Sequence, residues 1–321
     1  MPKKYAFLFP GQGAQVPGMI KDISETFPEA RKIVDSISSI TGVDMPHLLW
    51  ESDSSILSRS DNSQLSITTA SLAVVEVLKS RGITANAAMG FSLGEFPALC
   101  VSGVLSFEDC IRVVHSRGKI MQEVCEEIAK ENEGHAPGMS AVIGLPPEKV
   151  QEICKGLKDV YAANLNSVKQ TAISGTFDGL TAAEAALKEA GARRAIRLSV
   201  AGPYHCPLMQ KAADNFEKAI ESVTFSDPTI ELFSNVTGSK VTSGSEIKKN
   251  AVLHLTNPVL WTSEEAALAN LIQNDSSSEW NIFEPGVGSV LSGLWKDSTF
   301  AEKIKSQPLN DVESLKAALG D

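Results

Sequence analysis

A two-part α/β fold is predicted by three observations. Short apolar runs alternate with amphipathic helical stretches through most of the chain. A polar segment at 126–138, carrying Gly134 and Pro137, breaks that rhythm. Behind the break the elements follow the order β-α-β-β-α-β, that of a ferredoxin-like subdomain. Alternation of α and β on either side implies a mainly parallel sheet covered by helices.

In chain order, Tyr5–Phe9 is an apolar strand, and 66–80 has helical spacing through Ile67, Leu72, Val75 and Leu78. Ala87–Gly90 is a short strand. Ser106 with Asp109 resembles a capping box and opens a helix whose apolar residues recur at Phe107, Ile111, Val114, Met121 and Cys125. After the break come strand 139–143, helix 147–157, strands 160–164 and 171–174, helix 181–190 and strand 195–200. Larger elements then return: helix 207–222, strand 230–234, helix 263–272, strand 280–283 and helix 288–295. The expected division is therefore 1–128 with 201–321 as the large part and 129–200 as the insert.

Composition narrows the function classes. At 321 residues, 43% hydrophobic and 21% charged, the chain has the profile of a soluble globular protein with a core that needs no staples. A formal charge of −10 opposes general nucleic-acid binding, and no run is long or apolar enough for a membrane span. The run Tyr5–Phe9 is too brief for a signal-peptide core. Cysteines 100, 110, 125, 154 and 206 form no Cys-x-x-Cys pair and are odd in number, so neither a disulfide framework nor a zinc site is expected. A reducing, cytoplasmic setting is the expectation.

The chemistry centres on Gly90-Phe91-Ser92-Leu93-Gly94, a Gly-x-Ser-x-Gly motif between a strand and a helix, as in a nucleophile elbow. The motif also occurs in many unrelated chains, so its neighbours must decide. A serine hydroxyl needs a base. Of five histidines, His205 stands out because it lies in a rigid Gly202-Pro203-Tyr204 turn between a strand end and a helix; an ordinary turn histidine remains the other reading. Cys206 beside it reads as packing.

Arg117 interrupts an apolar helical stripe of Cys110, Val113, Ile120 and Val124. It is either a snorkelling stem or buried pair, or a cation aimed at a substrate carboxylate. The turn Gly11-Gln12-Gly13 follows a strand but lacks the third glycine of a dinucleotide loop, Val16 standing in its place. A backbone donor to an oxyanion suits it better.

Together, Phe9-Pro10-Gly11-Gln12-Gly13, Gly90-Phe91-Ser92-Leu93-Gly94-Glu95, Arg117-Gly118-Lys119 with Met121-Gln122, Asn164-Leu165-Asn166-Ser167, Gly202-Pro203-Tyr204-His205, Asn257-Pro258-Val259 with Trp261, and Glu284-Pro285-Gly286-Val287-Gly288 resemble the malonyl-CoA:acyl carrier protein transacylases. These are the FabD-like acyltransferases of fatty acid synthesis, and the resemblance runs along nearly the whole chain. It implies an α/β-hydrolase-like large subdomain with an inserted ferredoxin-like subdomain. By motif position it implies Ser92 as nucleophile, His205 as base, Arg117 as clamp on the malonyl carboxylate, and the backbone N–H groups of Gln12 and Leu93 as oxyanion hole. Asn166 and the main-chain carbonyl of His254 join the site on the same grounds. Malonyl-CoA and acyl carrier protein are the implied partners, coenzyme A entering as a thioester substrate with no bound cofactor and no metal.

Three positions depart from the family's usual pattern. Phe91 stands where histidine is usual, His254 where glutamine is common, and Val168-Lys169 where many relatives have Pro-Gly. An acidic carrier protein would need a local positive patch, for which Arg193 and Arg194, with Lys188 nearby, are candidates; a solvated charge cluster is the alternative. The rival functions are a polyketide-type acyltransferase of other specificity, a serine thioesterase or esterase, and a silent carrier-binding module.

Overall fold

The alternation in β1 (Lys3–Phe9) decides how the strand is used. Phe7 and Phe9 face one side and Ala6 and Leu8 the other, and all four are fully buried, so apolar layers must cover both faces. The computed structural model describes residues 1–320. Residues 21–58, to which the sequence reading assigns no element, form four helices: α1 (Lys21–Thr26), α2 (Pro28–Thr41), α3 (Met45–Trp50) and α4 (Ser54–Ser58). Asp44 and Asp53 cap the last two by accepting N–H bonds from their first turns.

Helix α5 (Ser60–Ser80) starts at Ser60 rather than Ser66. Its first turns bury Ser60, Ser63, Gln64 and Ser66, so no apolar period marks them. Then follow β2 (Ala87–Gly90), a 3-10 turn at Ser92–Gly94, α6 (Glu95–Val101) and α7 (Phe107–Glu131), whose N-cap Ser106 accepts the Asp109 N–H as the motif predicts.

The insert comprises β3 (Gly138–Ile143), α8 (Pro147–Lys155), β4 (Val160–Ser167), β5 (Gln170–Gly175), α9 (Phe177–Glu189) and β6 (Arg194–Arg197). Its strands are antiparallel in the order β4-β5-β3-β6. The two helices cover one face through Val150, Cys154, Leu180 and Leu187 over Val142, Val160 and Ile173. From the other face Met139, Ala163 and Ala172 join the main core. The predicted strand 195–200 is cut short because, after the Leu198 N–H bonds to the Met139 carbonyl, Ser199 and Val200 leave the ladder, and 198–200 line a cleft.

After a 3-10 turn at Pro207–Met209 the chain completes the large part with α10 (Gln210–Ala219), β7 (Glu231–Ser234), β8 (Ser239–Val241), α11 (Gly244–Leu253), α12 (Trp261–Asn274), β9 (Glu279–Pro285), α13 (Val290–Trp295), β10 (Ser306–Leu309) and α14 (Val312–Leu319). Of these, β8, α11, β10 and α14 lie outside the sequence reading. The large sheet runs β10-β9-β1-β2-β7-β8, parallel except for β8. This is the α/β-hydrolase-like sheet with a ferredoxin-like insert. Among the described residues no helix is long and apolar enough to cross a membrane.

The insert is tied to the large part close to the C-terminal ends of β1 and β2. Val259 N–H donates to the Ala163 carbonyl and Leu165 N–H to the Val259 carbonyl, each at 2.9 Å. Lys169, one of the departures from the family pattern, ion-pairs with Asp297 at 2.6 Å. A cleft of about 200 Å³ opens between the two parts.

Candidate active site

The elbow is built by close approach of backbone to backbone. A Cβ on Gly90 would lie 1.9 Å from the Gly94 carbonyl oxygen, and one on Gly94 would lie 2.0 Å from that of Phe9, so neither position admits a side chain. Ser92 is forced to φ 53°, in the left-handed region, which costs an L-residue about 1–2 kcal/mol. What holds it there is Asn235, just past the end of β7. Its Oδ1 accepts the Ser92 N–H at 2.7 Å, and its Nδ2 donates to the Gly90 carbonyl and to Glu264 Oε1, each at 2.7 Å. Its own N–H donates to Glu95 Oε1 at 2.7 Å.

Ser92 Oγ lies 2.8 Å from Nε2 of His205. The other ring nitrogen, Nδ1, is 2.8 Å from the main-chain carbonyl of His254. A carbonyl can only accept, so Nδ1 carries the proton and Nε2 presents a lone pair to the serine. Burial first, and then neighbouring His254 and Arg117, hold His205 well below the usual histidine range. The ring is thus kept neutral. His205 also has positive φ, 59°, within a turn pinned by a Ser174 hydroxyl bond to the Tyr204 carbonyl.

Arg117 is 1% exposed, which excludes snorkelling. It forms no ion pair with a carboxylate among the described residues: Nη1 donates to the neutral amide Oε1 of Gln64 at 2.7 Å, and the guanidinium carbon lies 5.2 Å from the centre of the Phe96 ring. Nε and Nη2 have no hydrogen-bond partner among the described residues. Burial lowers its pKa to about 10, with Glu95 and Tyr204 opposing, so it remains a cation at neutral pH. It does not line the cleft itself; Met121, one helical turn along α7, does, and Gln64 touches both.

Gln12, Phe91, Asn166 and Tyr204 line the cleft with Ser92 and His205. The backbone N–H groups of Gln12 and Leu93 make no hydrogen bond among the described residues. Gln12 is brought against the elbow because a Cβ on Gly11 would come 2.4 Å from the Phe91 carbonyl oxygen. Asn166 has its side-chain oxygen buried without a donor. Phe91 packs edge-on against Trp261 with ring centres 5.5 Å apart, an apolar contact.

Arg193 and Arg194 are exposed and stand apart from the cleft lining. They lie beyond the insert's second helix. α9 stops at Glu189; Arg193 follows the turn at Gly191 and Arg194 opens β6. Sequence reasoning also missed Asn235, Gln64 and Ser60, whose hydroxyl lies 2.8 Å from that of Tyr204. The only signal for Asn235 was a polar residue directly after a strand neighbouring the elbow strand; Gln64 and Ser60 lie in the polar half of α5.

Residues 6–274 match the model of the acyl transferase domain family. The malonyl CoA-acyl carrier protein transacylase of Bacillus subtilis (strain 168) is 34% identical over 320 residues, covering 98% of this chain and 96% of the relative. The solved malonyl CoA-acyl carrier protein transacylase of Coxiella burnetii superposes with TM-score 0.90 at 30% identity, covering 100% of this chain and 98% of that one. A malonyl-transacylase solved in complex with its type II polyketide synthase acyl-carrier protein gives TM-score 0.89 at 33% identity, covering 99% of each chain. The serine elbow, the histidine against it and the buried arginine thus stand on a scaffold shared with these enzymes, and the chain belongs to the acyl transferase family as a relative of the malonyl CoA-acyl carrier protein transacylases.

Proposed function

We propose that this enzyme moves a malonyl group from malonyl-CoA to the phosphopantetheine thiol of acyl carrier protein, by way of a malonyl ester on Ser92. The observation that carries the reading is the Ser92–His205 pair at 2.8 Å beside a buried arginine with two unpartnered donors. His205 Nε2 takes the Ser92 proton as Oγ attacks the thioester carbonyl, and the amides of Gln12 and Leu93 receive the oxyanion. Collapse expels coenzyme A thiolate, which takes the proton from His205. In the return half-reaction His205 deprotonates the carrier thiol, which attacks malonyl-Ser92; collapse then releases Ser92 Oγ, and His205 returns the proton to it.

Arg117 grips the malonyl carboxylate through the two donors that the protein leaves unpaired, a recognition suited to its planar fork. A serine hydrolase has no use for such a cation. Asn166 adds a polar contact at the cleft rim. The scheme uses side chains and backbone amides only, with the coenzyme A thioester as substrate. Five free cysteines support a reducing, cytoplasmic setting. Supply of fatty acid synthesis is the pathway we favour; the close fit to a type II polyketide transacylase makes polyketide extension the second reading.

Intact-mass analysis after brief exposure to malonyl-CoA tests the proposal. We expect one malonyl adduct, mapped to Ser92 and lost in Ser92→Ala; an adduct that persists in that variant would refute the nucleophile.

A further inference from the structure

Beneath His205 lies a second imidazole that the reaction scheme leaves unused. His254 is 0% exposed, and its ring centre is 4.9 Å from that of His205. Its Nδ1 is 2.9 Å from Oε2 of Glu95, close but poorly aligned with the ring N–H, so the contact is one of charge rather than a directed hydrogen bond. Glu95 is itself buried, and its other oxygen is taken by the Asn235 N–H.

The charged and titratable groups around His254 and its neighbour Glu95 come from four elements. Glu95 lies on α6, Arg117 on α7, Glu264 on α12, and His205 in the turn before α10. Arg117 attracts Glu95 but forms no ion pair with it among the described residues, and burial, with Glu95 close by, pushes Glu264 well above the usual carboxylate range. A buried carboxylate needs a cation or a proton. Glu95 has His254 at ion-pair distance. A proton on His254, stabilised by Glu95, lies one ring away from His205 at 4.9 Å, where it opposes formation of a second cation.

We infer that the His254 imidazole, held by Glu95, is a positioning residue that keeps His205 unprotonated, in addition to the orienting role of its main-chain carbonyl. The inference rests on the reading of His205 as the base for Ser92. It extends to this chain's own side chain at 254, since the carbonyl would be supplied by any residue there.

The test is the pH dependence of Ser92 modification by an alkyl fluorophosphonate, which reports the serine–histidine pair without engaging the carboxylate clamp. In His254→Gln, which keeps the carbonyl and removes the charge, the acid limb is expected to move up by about half to one pH unit. His254→Asn provides the same reading if the glutamine variant does not fold. A limb that stays in place, moves down, or is replaced by a loss equal at all pH values overturns the inference while leaving His205 as the base. An acid limb unchanged in His205→Ala would instead overturn the base assignment, and this inference with it.

Discussion

At the scale of single residues, the site depends on groups that hold the serine as much as on those that react. Asn235 satisfies the Ser92 N–H, the Gly90 carbonyl and two buried glutamates at once. Removing its side chain leaves buried partners unpaired, each costing about 1–3 kcal/mol. We therefore expect Asn235→Ala to lower stability by roughly 2–3 kcal/mol, at the upper part of that range, and to slow Ser92 acylation, as read by denaturant unfolding and single-turnover rates. A variant with wild-type stability and rate would remove Asn235 from the elbow's support. Ser92, His205 and Arg117 were legible in the sequence because each violates a local rule: a serine between glycines at a strand end, a histidine in a rigid turn, a cation in an apolar stripe. Asn235 violates none, since a polar residue after a strand is ordinary, and only the chain's return beside β2 gives it a role. The same holds for Gln64, which gives Arg117 a neutral partner from a distant part of the chain.

At the scale of elements, strands and amphipathic helices were legible wherever one face is apolar. The first half of α5 was not, because it buries serines and a glutamine that serve Tyr204, Gln122 and Arg117. Helix α12 carries a comparable hidden cost. Burial raises Glu265 from 4.5 to about 8, even though the Trp261 indole N–H bonds to its Oε1 at 2.9 Å. A carboxyl whose pKa is raised on folding contributes stability below its unfolded value, and that contribution is lost as pH rises through the folded one. Wild type should therefore lose stability progressively between about pH 4.5 and pH 8 from this group. Glu265→Gln, which keeps the indole bond, should flatten the dependence of Tm on pH across that window. Parallel curves for the two proteins would show that Glu265 ionises freely in the fold.

At the scale of the whole molecule, the insert and the large sheet meet over the cleft, joined by the backbone bonds at Val259 and the Lys169–Asp297 pair. Carrier protein must reach this seam while the chain as a whole repels an acidic partner. Charge reversal at Arg193 and Arg194 together should raise the apparent KM for carrier protein and leave malonyl loading of Ser92 unchanged; an unaltered KM would eliminate that patch. The two arginines were legible as neighbouring charges, but the seam was not, because it depends on how two sheets are placed against one another. The central claim is that the free donors of buried Arg117 select an acidic acyl group, and acyl transfer by Arg117→Ala tests it most directly. The account predicts that malonyl transfer weakens by roughly 2–4 kcal/mol in kcat/KM, the scale of breaking a desolvated charge pair, while acetyl transfer is retained or improved. Equal losses on malonyl-CoA and acetyl-CoA would contradict it.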